Sequence, residues 1–261
     1  MGRFSGQVVW ITGGGSGIGL ATAVELARQG AKVAVSGRRV EKLSDAVQAV
    51  EGAGGEALAV ACDVNDEEAC RGAVAEIVAK WGRLDVAMAN AGFAVAGYVT
   101  KLTPADYRRQ FETNVFGLIN TAHAAIPELE KTKGRLVLVG SVASYLAPPR
   151  MSAYAATKAA VRALGESFAQ DLKRSGVSVT VLCPGYVESE IQQVNNQGEY
   201  RPEVEVKKPP VMVPADKAAR EIASAIHRRT LIAPITGHGH VLVWLTRHFP
   251  WAVRFLLAKM G

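Results

Sequence analysis

The chain has 261 residues, 49% of them hydrophobic and 21% charged, with a net charge of +6. Such values exclude a disordered chain, and the length suits one α/β domain with a sizeable core. Cys62, Cys70 and Cys183 are odd in number and lack metal-ligand spacing, which excludes a disulfide framework and predicts reduced, buried thiols in a cytoplasmic protein.

The opening MGRFSGQVVW has no long apolar stretch of the signal-peptide kind, and Gly6 stands where a myristoylation pattern needs Ser or Thr. An apolar run predicts a first strand over 7–12. TGGGSGIG follows at 12–19 and opens a helix predicted over 17–30. Glycine permits close backbone approach, and a helix N-terminus favours an anion. Gly13, Ser16, Gly17, Ile18 and Gly19 are therefore a candidate cradle for a dinucleotide pyrophosphate. The spacing is G-x-x-x-G-x-G, not the commoner G-x-G-x-x-G, and a structural turn would also account for it.

The second strand, over 31–36, decides the nucleotide. An NAD site carries an acid near the end of this strand to bind the ribose 2′-hydroxyl. This chain has Gly37, Arg38 and Arg39 instead. Arginine binds a 2′-phosphate through forked, charged hydrogen bonds, so the expected cofactor is NADP(H). The bland alternative is a pair of solvated surface arginines.

A helix over 40–52 leads to a third strand over 57–62. Asp63, with Val64 beside it, is a candidate partner of the adenine amino group, or else a turn or cap residue. A helix over 66–81 precedes a fourth strand over 84–89, ended by the small turn Asn90-Ala91-Gly92. The next helix, over 104–128, has Thr103 as N-cap, Pro104 at its first position and Asp106 in its first turn. A fifth strand over 134–140 ends at Ser141. A helix over 152–174 and a sixth strand over 177–183 follow, the strand running into Pro184-Gly185. Regular patterning fails from 187 to 213, which contains Asn195-Asn196, Gly198, Pro202 and Pro209-Pro210; such a stretch suits a substrate loop or lid.

Uninterrupted apolar strands suit a parallel sheet covered on both faces. Strict β-α alternation predicts right-handed crossovers and a doubly wound, three-layer α/β/α sheet, the Rossmann fold, with ligands beyond the carboxyl ends of its strands.

Tyr154 and Lys158 are four apart and share one helix face. A phenol near pKa 10 is a poor acid–base group at neutral pH. A neighbouring ammonium and an oxidised nicotinamide favour its phenolate, which brings it into range for proton exchange with a ketone or alcohol. Ser141 can hydrogen-bond the same substrate oxygen.

The whole set resembles the short-chain dehydrogenase/reductase family in its single-domain form. The matching pieces are TGGGSGIG at 12–19, Asp63, NAG at 90–92, Asn114, Ser141, YAATK at 154–158 and PG at 184–185, in the family's order over residues 7–189. The resemblance implies that Asn114 kinks its helix and holds a water linked to Lys158 in a proton relay. It implies that Lys158 also binds the nicotinamide ribose. Val187 and Ser189 would meet the carboxamide, Ser189 standing where many members have Thr. The expected activity is hydride transfer between NADP(H) and a carbonyl or secondary alcohol. Subunit association as a homodimer or homotetramer is expected by analogy, through the helices bearing Asn114 and Tyr154.

Residues 1–200 hold 20 basic and 20 acidic residues, so the excess of +6 lies in 201–261, and no acid follows Glu221. The tail over 238–261 combines Arg247, His248 and Arg254 with Trp244, Phe249, Trp251, Phe255, Leu256 and Leu257. Arg247 and Arg254, seven apart, are expected on one face, and Pro250 is expected to split the segment in two. Three roles stay open for it: a membrane interface, a partner subunit, or the protein's own body. The tail is similar in composition to those of membrane-associated family members such as hydroxysteroid dehydrogenases and 3-ketosphinganine reductases. That similarity implies a bulky apolar ketone substrate, with Phe93, Tyr145, Leu146 and Tyr186 as candidate pocket walls.

The five histidines form no metal constellation, Gly237-His238-Gly239-His240 reads as a turn, and no metal is predicted. Basic residues intermixed with apolar ones argue against nucleic acid. A non-catalytic NADPH-binding sensor or scaffold is the alternative function, against which stand the intact Ser141, Tyr154 and Lys158.

Overall fold

The structure, a computed structural model, describes residues 2–206 and 209–259. Lys207 and Lys208 of the predicted loop, and Met260 and Gly261 of the predicted tail, lie outside the described residues.

Seven strands form one parallel sheet: β1 (Val8–Thr12), β2 (Lys32–Gly37), β3 (Ala57–Ala61), β4 (Val86–Ala89), β5 (Arg135–Val139), β6 (Ser178–Pro184) and β7 (Ile232–Ile235). Their order is β3-β2-β1-β4-β5-β6-β7, so the winding reverses between β1 and β4. The register pairs Thr12 with Ser36 on one side and Ile11 with Met88 on the other. A crevice opens where the two windings part, at the carboxyl ends of the strands.

Alternation along β1 shows how the sheet is covered. Val9 and Ile11 face a layer built from α1 (Gly17–Arg28), α2 (Val40–Gly52) and α7 (Ala215–His227). Val8 and Trp10 face the layer of α3 (Glu67–Trp81), α5 (Gly117–Thr132) and α6 (Ser152–Asp171). All five β1 residues are buried, as continuous apolar strands between two helical layers require. Two buried polar groups at β1 have partners: Trp10 Nε1 donates to Ser36 Oγ at 2.9 Å, and Asp85 accepts from the Val8 amide at 2.9 Å.

Three departures from the sequence expectations matter. The helix expected over 104–128 is α4 (Pro104–Phe111), a π-helical turn at Glu112–Phe116, and then α5. The strand β7 was not predicted, because Pro234 demotes a four-residue run; its place at the sheet edge tolerates a missing donor. Helix α7 was not predicted either. It follows the irregular stretch and buries Ala218, Ile222, Ala223 and Ile226 against α1 and the sheet.

The segment after β6 is irregular, with a short 3-10 turn at Glu190–Gln193 and isolated bridges joining Val187 to Val213 and Val194 to Tyr200. The tail forms α8 (Gly237–His248) and α9 (Pro250–Ala258), broken at Phe249 as Pro250 dictates.

Candidate active site

The segments that carry the predicted cofactor and catalytic residues follow the carboxyl ends of the strands. Thr12 ends β1, and its Oγ1 accepts from the amides of Asn90 (3.0 Å) and Ala91 (3.2 Å). Asn90 Nδ2 donates back to the carbonyls of Thr12 (2.9 Å) and Gly13 (3.1 Å). This side chain is a staple beneath the glycine turn. Gly13 has φ +64°, and a Cβ on Gly19 would lie 2.5 Å from the Gly13 carbonyl oxygen. The turn is thus too tight for any other residue at either position, and it delivers the N-terminus of α1 to the crevice.

Ser16 is the N-cap of α1, and its hydroxyl accepts from Arg39 Nη2 at 3.2 Å. Arg39 also pairs with Glu190 at 2.7 Å, while its Nη1 is buried without a hydrogen-bond partner. A buried, unsatisfied guanidinium nitrogen beside a glycine cradle fits a phosphate oxygen. Arg38 is exposed and reaches the Gly198 carbonyl at 3.4 Å. The two predicted arginines are therefore unequal, and Arg39 is the one turned to the cradle. Asp63 accepts from the Asn65 amide at 3.0 Å in a local turn, and Val64 is buried beside it. Ile18 is partly buried at the start of α1. Ser189, in the strand-to-turn connection after β6, lies against Gly17, and Val187 is buried.

The other half of the crevice holds the titratable groups. Ser141 follows β5, caps a 3-10 turn by accepting from the Ala143 amide at 3.1 Å, and is buried. Tyr154 lies in the first turn of α6 with its hydroxyl beside that of Ser141. Lys158 is 6% exposed, lies 5.6 Å from the Tyr154 ring centre, and donates to the Val139 carbonyl at 2.8 Å. Burial holds its ammonium at about 8, below the ordinary 10.5. Burial also raises the Tyr154 phenol above 10, with the Ser141 hydrogen bond opposing. This direction is opposite to the lowering that a neighbouring ammonium predicts. Desolvation of the anion outweighs the Ser141 hydrogen bond in the protein itself, so the charge of an oxidised nicotinamide would have to supply the rest.

Asn114, 2% exposed, lies inside the π-helical turn. Its side chain accepts from the Phe93 amide at 3.1 Å and donates to the Phe93 carbonyl at 3.0 Å and to Thr157 Oγ1 at 3.3 Å. One turn earlier, buried Gln110 donates to the same carbonyl at 2.7 Å. Together they fasten the chain after Gly92 to α6. Gln110 escaped the sequence argument, although its i, i+4 spacing to Asn114 was visible.

His238 was also missed, having been assigned to a turn. It lies in the first turn of α8, and its Nε2 accepts from the Tyr186 amide at 2.8 Å. A Cβ on Gly185 would fall 2.2 Å from that nitrogen, so the Pro184-Gly185 turn is moulded on the imidazole. Of the candidate pocket walls, Phe93 is buried with Val95 and Ala153. Tyr145 lies between Arg162 and Arg247, Leu146 is half-buried and Tyr186 is exposed.

The residues from 7 to 200 match the family model for short chain dehydrogenases. The chain belongs to the short-chain dehydrogenase family. It is an oxidoreductase of that family with the Rossmann fold. A 3beta-hydroxysteroid dehydrogenase of Mediterraneibacter gnavus is 35% identical over 185 residues, 70% of this chain and 67% of that protein. The short-chain dehydrogenase/reductase of Burkholderia phymatum, solved with NAD, superposes with a TM-score of 0.82 at 25% identity, covering 98% of this chain and 97% of that one. An alcohol dehydrogenase of Thermococcus sibiricus, solved with 5-hydroxy-NADP, gives 0.72 at 26% identity over 84% and 89%. Nicotinamide cofactors thus occupy related structures in both their forms.

Proposed function

We propose that this protein is an NADP(H)-dependent reductase of bulky apolar ketones. The observation that carries the reading is the meeting of the Ser141 and Tyr154 hydroxyls beside a buried Lys158, at the edge of a glycine cradle. NADPH, when bound, supplies the hydride. The Gly13–Gly19 turn and the N-terminus of α1 hold the pyrophosphate, with Asn90, Ala91 and Gly92 as the floor. Arg39, with Ser16 and the more exposed Arg38, takes the 2′-phosphate. Asp63 and Val64 border the adenine, and Pro184, Gly185, Val187 and Ser189 border the nicotinamide end.

Tyr154 gives its proton to the carbonyl oxygen, which Ser141 orients. Lys158 binds the ribose and resupplies the proton, while Asn114 holds the bent helix against α6 so that the relay can form. The steroid-acting relative supports an apolar ketone, and Phe93, Tyr145, Leu146 and Tyr186 are the walls assigned to it. Oxidation of NADPH against a panel of steroid, long-chain and small ketones tests this. Turnover restricted to NADH, or none with any ketone, overturns it.

Two assembly features complete the proposal. Phe116, 51% exposed on the π-helical turn, suits burial in a homodimer or homotetramer. Among the described residues no helix is long and apolar enough to cross a membrane. Helix α9 nevertheless buries none of its residues, and it presents Trp251, Phe255 and Leu256 with Arg254 and no acid. Such a helix fits the surface of an anionic lipid bilayer. Co-sedimentation with phosphatidylserine vesicles, lost when residues 250–261 are deleted, is the expected outcome; equal sedimentation of both forms refutes it.

A further inference from the structure

The segment after Ser189 lies directly over the candidate nucleotide site, and the contacts that hold it there concentrate on one residue. Glu190 pairs with Arg39 at 2.7 Å and approaches Lys42 at 3.9 Å. The Tyr200 ring stacks on the same guanidinium, 4.8 Å from its carbon. Arg38 holds the Gly198 carbonyl at 3.4 Å. Further along, Asn196 exchanges two hydrogen bonds with the backbone of Ala96, each 3.1 Å, and Arg109 donates to the Asn196 carbonyl at 2.9 Å. The flap is therefore fastened at both ends, and at its nucleotide end the fastening is a carboxylate on the arginine turned to the cradle.

We infer that Glu190 is an internal competitor for the 2′-phosphate, a gate residue that a cofactor must displace from Arg39. This rests on the reading of Arg39 as the 2′-phosphate site. A carboxylate and a phosphate monoester present the same feature to a guanidinium: two anionic oxygens in the plane of its fork. While Glu190 occupies Nη2, the Ser189–Tyr200 flap stays closed against the glycine turn. A nucleotide with a 2′-phosphate replaces the lost carboxylate by its own oxygens and can also satisfy the orphaned Nη1. A nucleotide with a 2′-hydroxyl offers the guanidinium no anion in exchange for the carboxylate and leaves the ion pair in place. Glu190 thus converts the presence of one phosphate into opening of the flap.

The partners are one-third and one-quarter exposed, which puts the ion pair in the class worth up to about 1 kcal/mol, or roughly fivefold in a binding constant. Glu190→Gln keeps the size of the side chain and removes the charge. Two measurements are made on the full chain: NADPH affinity by fluorescence titration, and backbone hydrogen exchange of residues 189–200 without nucleotide. The expected results are roughly threefold to fivefold tighter NADPH binding and faster exchange in the flap, with the affinity gain absent when Arg39→Ala is the background. Unchanged or weaker NADPH binding by Glu190→Gln overturns the gate. If the parent protein binds no NADPH, the cofactor assignment fails instead, while the exchange result still reports whether Glu190 fastens the flap.

Discussion

Tyr154 and Lys158 are adjacent in space because they are four apart on α6, yet burial pushes their proton affinities in opposite directions, the phenol up and the ammonium down. Burial keeps the phenol protonated as a donor, and it brings the ammonium close enough to neutrality to release its proton to the relay. Tyr154→Phe removes the proton donor and leaves the cradle intact. Turnover is expected to fall by roughly 10²–10⁴ while NADPH affinity stays within about twofold; steady-state kinetics beside a titration checks both. Lys158 yields a stability signature with a definite sign. The folded lysine loses its proton near pH 8, while the unfolded one keeps it to about 10.5. The cost of burying the charge is full below pH 8 and fades as pH rises through that window. Stability relative to Lys158→Met is therefore expected to increase between pH 8 and 10.5 and to be flat below 8, as urea denaturation across that range would show. At the nucleotide end, Arg39→Ala is expected to weaken NADPH by roughly tenfold or more, and Arg38→Ala by less, because Arg39 is the partly buried one. Comparing their NADPH-to-NADH affinity ratios checks the order.

Helix boundaries and bends depend on packing that local sequence does not carry. Pro104, Thr103 and Asp106 mark the start of α4, where Thr103 is the N-cap as expected and closes a capping box with Asp106. Nothing equally local marks the π-helical turn. It is held by Asn114 and Gln110, whose partners belong to Phe93 and to α6, about twenty and forty residues away. The tail shows the same contrast. Pro250 foretells the break between α8 and α9, which puts Arg247 and Arg254 on separate helices. The bond from Arg247 to the Tyr145 hydroxyl, at 3.1 Å, joins residues about a hundred positions apart and had no local signal. Helix α8 is attached to the body through Val243 and His238, whereas α9 is not. Deleting residues 250–261 is accordingly expected to change unfolding stability by less than about 0.5 kcal/mol. His238→Ala removes the acceptor of the solvent-accessible Tyr186 amide and is expected to cost about 0.5–1.5 kcal/mol. Chemical denaturation of the two variants separates these roles.

At the scale of the molecule, the site exists because the winding of the sheet reverses between β1 and β4 and leaves a crevice there. The flap closes that crevice through ion pairs between residues some 150 positions apart. Cofactor binding is thus linked to stability of the whole fold. NADPH at a hundred times its dissociation constant is expected to raise the unfolding free energy by about 2.7 kcal/mol. NADH at the same concentration is expected to give less; thermal melts with each nucleotide decide.

Apolar runs and the glycine turn were enough to determine the parallel sheet, its two covering layers and the crevice position. Those features follow from periodicity, and periodicity is local. Ser141, Tyr154, Lys158 and Asn114 were legible as a set because their order along the chain carries a resemblance. The edge strand β7, helix α7, the staple role of Asn90, the imidazole under Gly185 and the Glu190–Arg39 pair were decided by tertiary structure. Each depends on one polar atom or one close backbone approach between distant segments, and a residue's partners across space leave no period in its own neighbourhood.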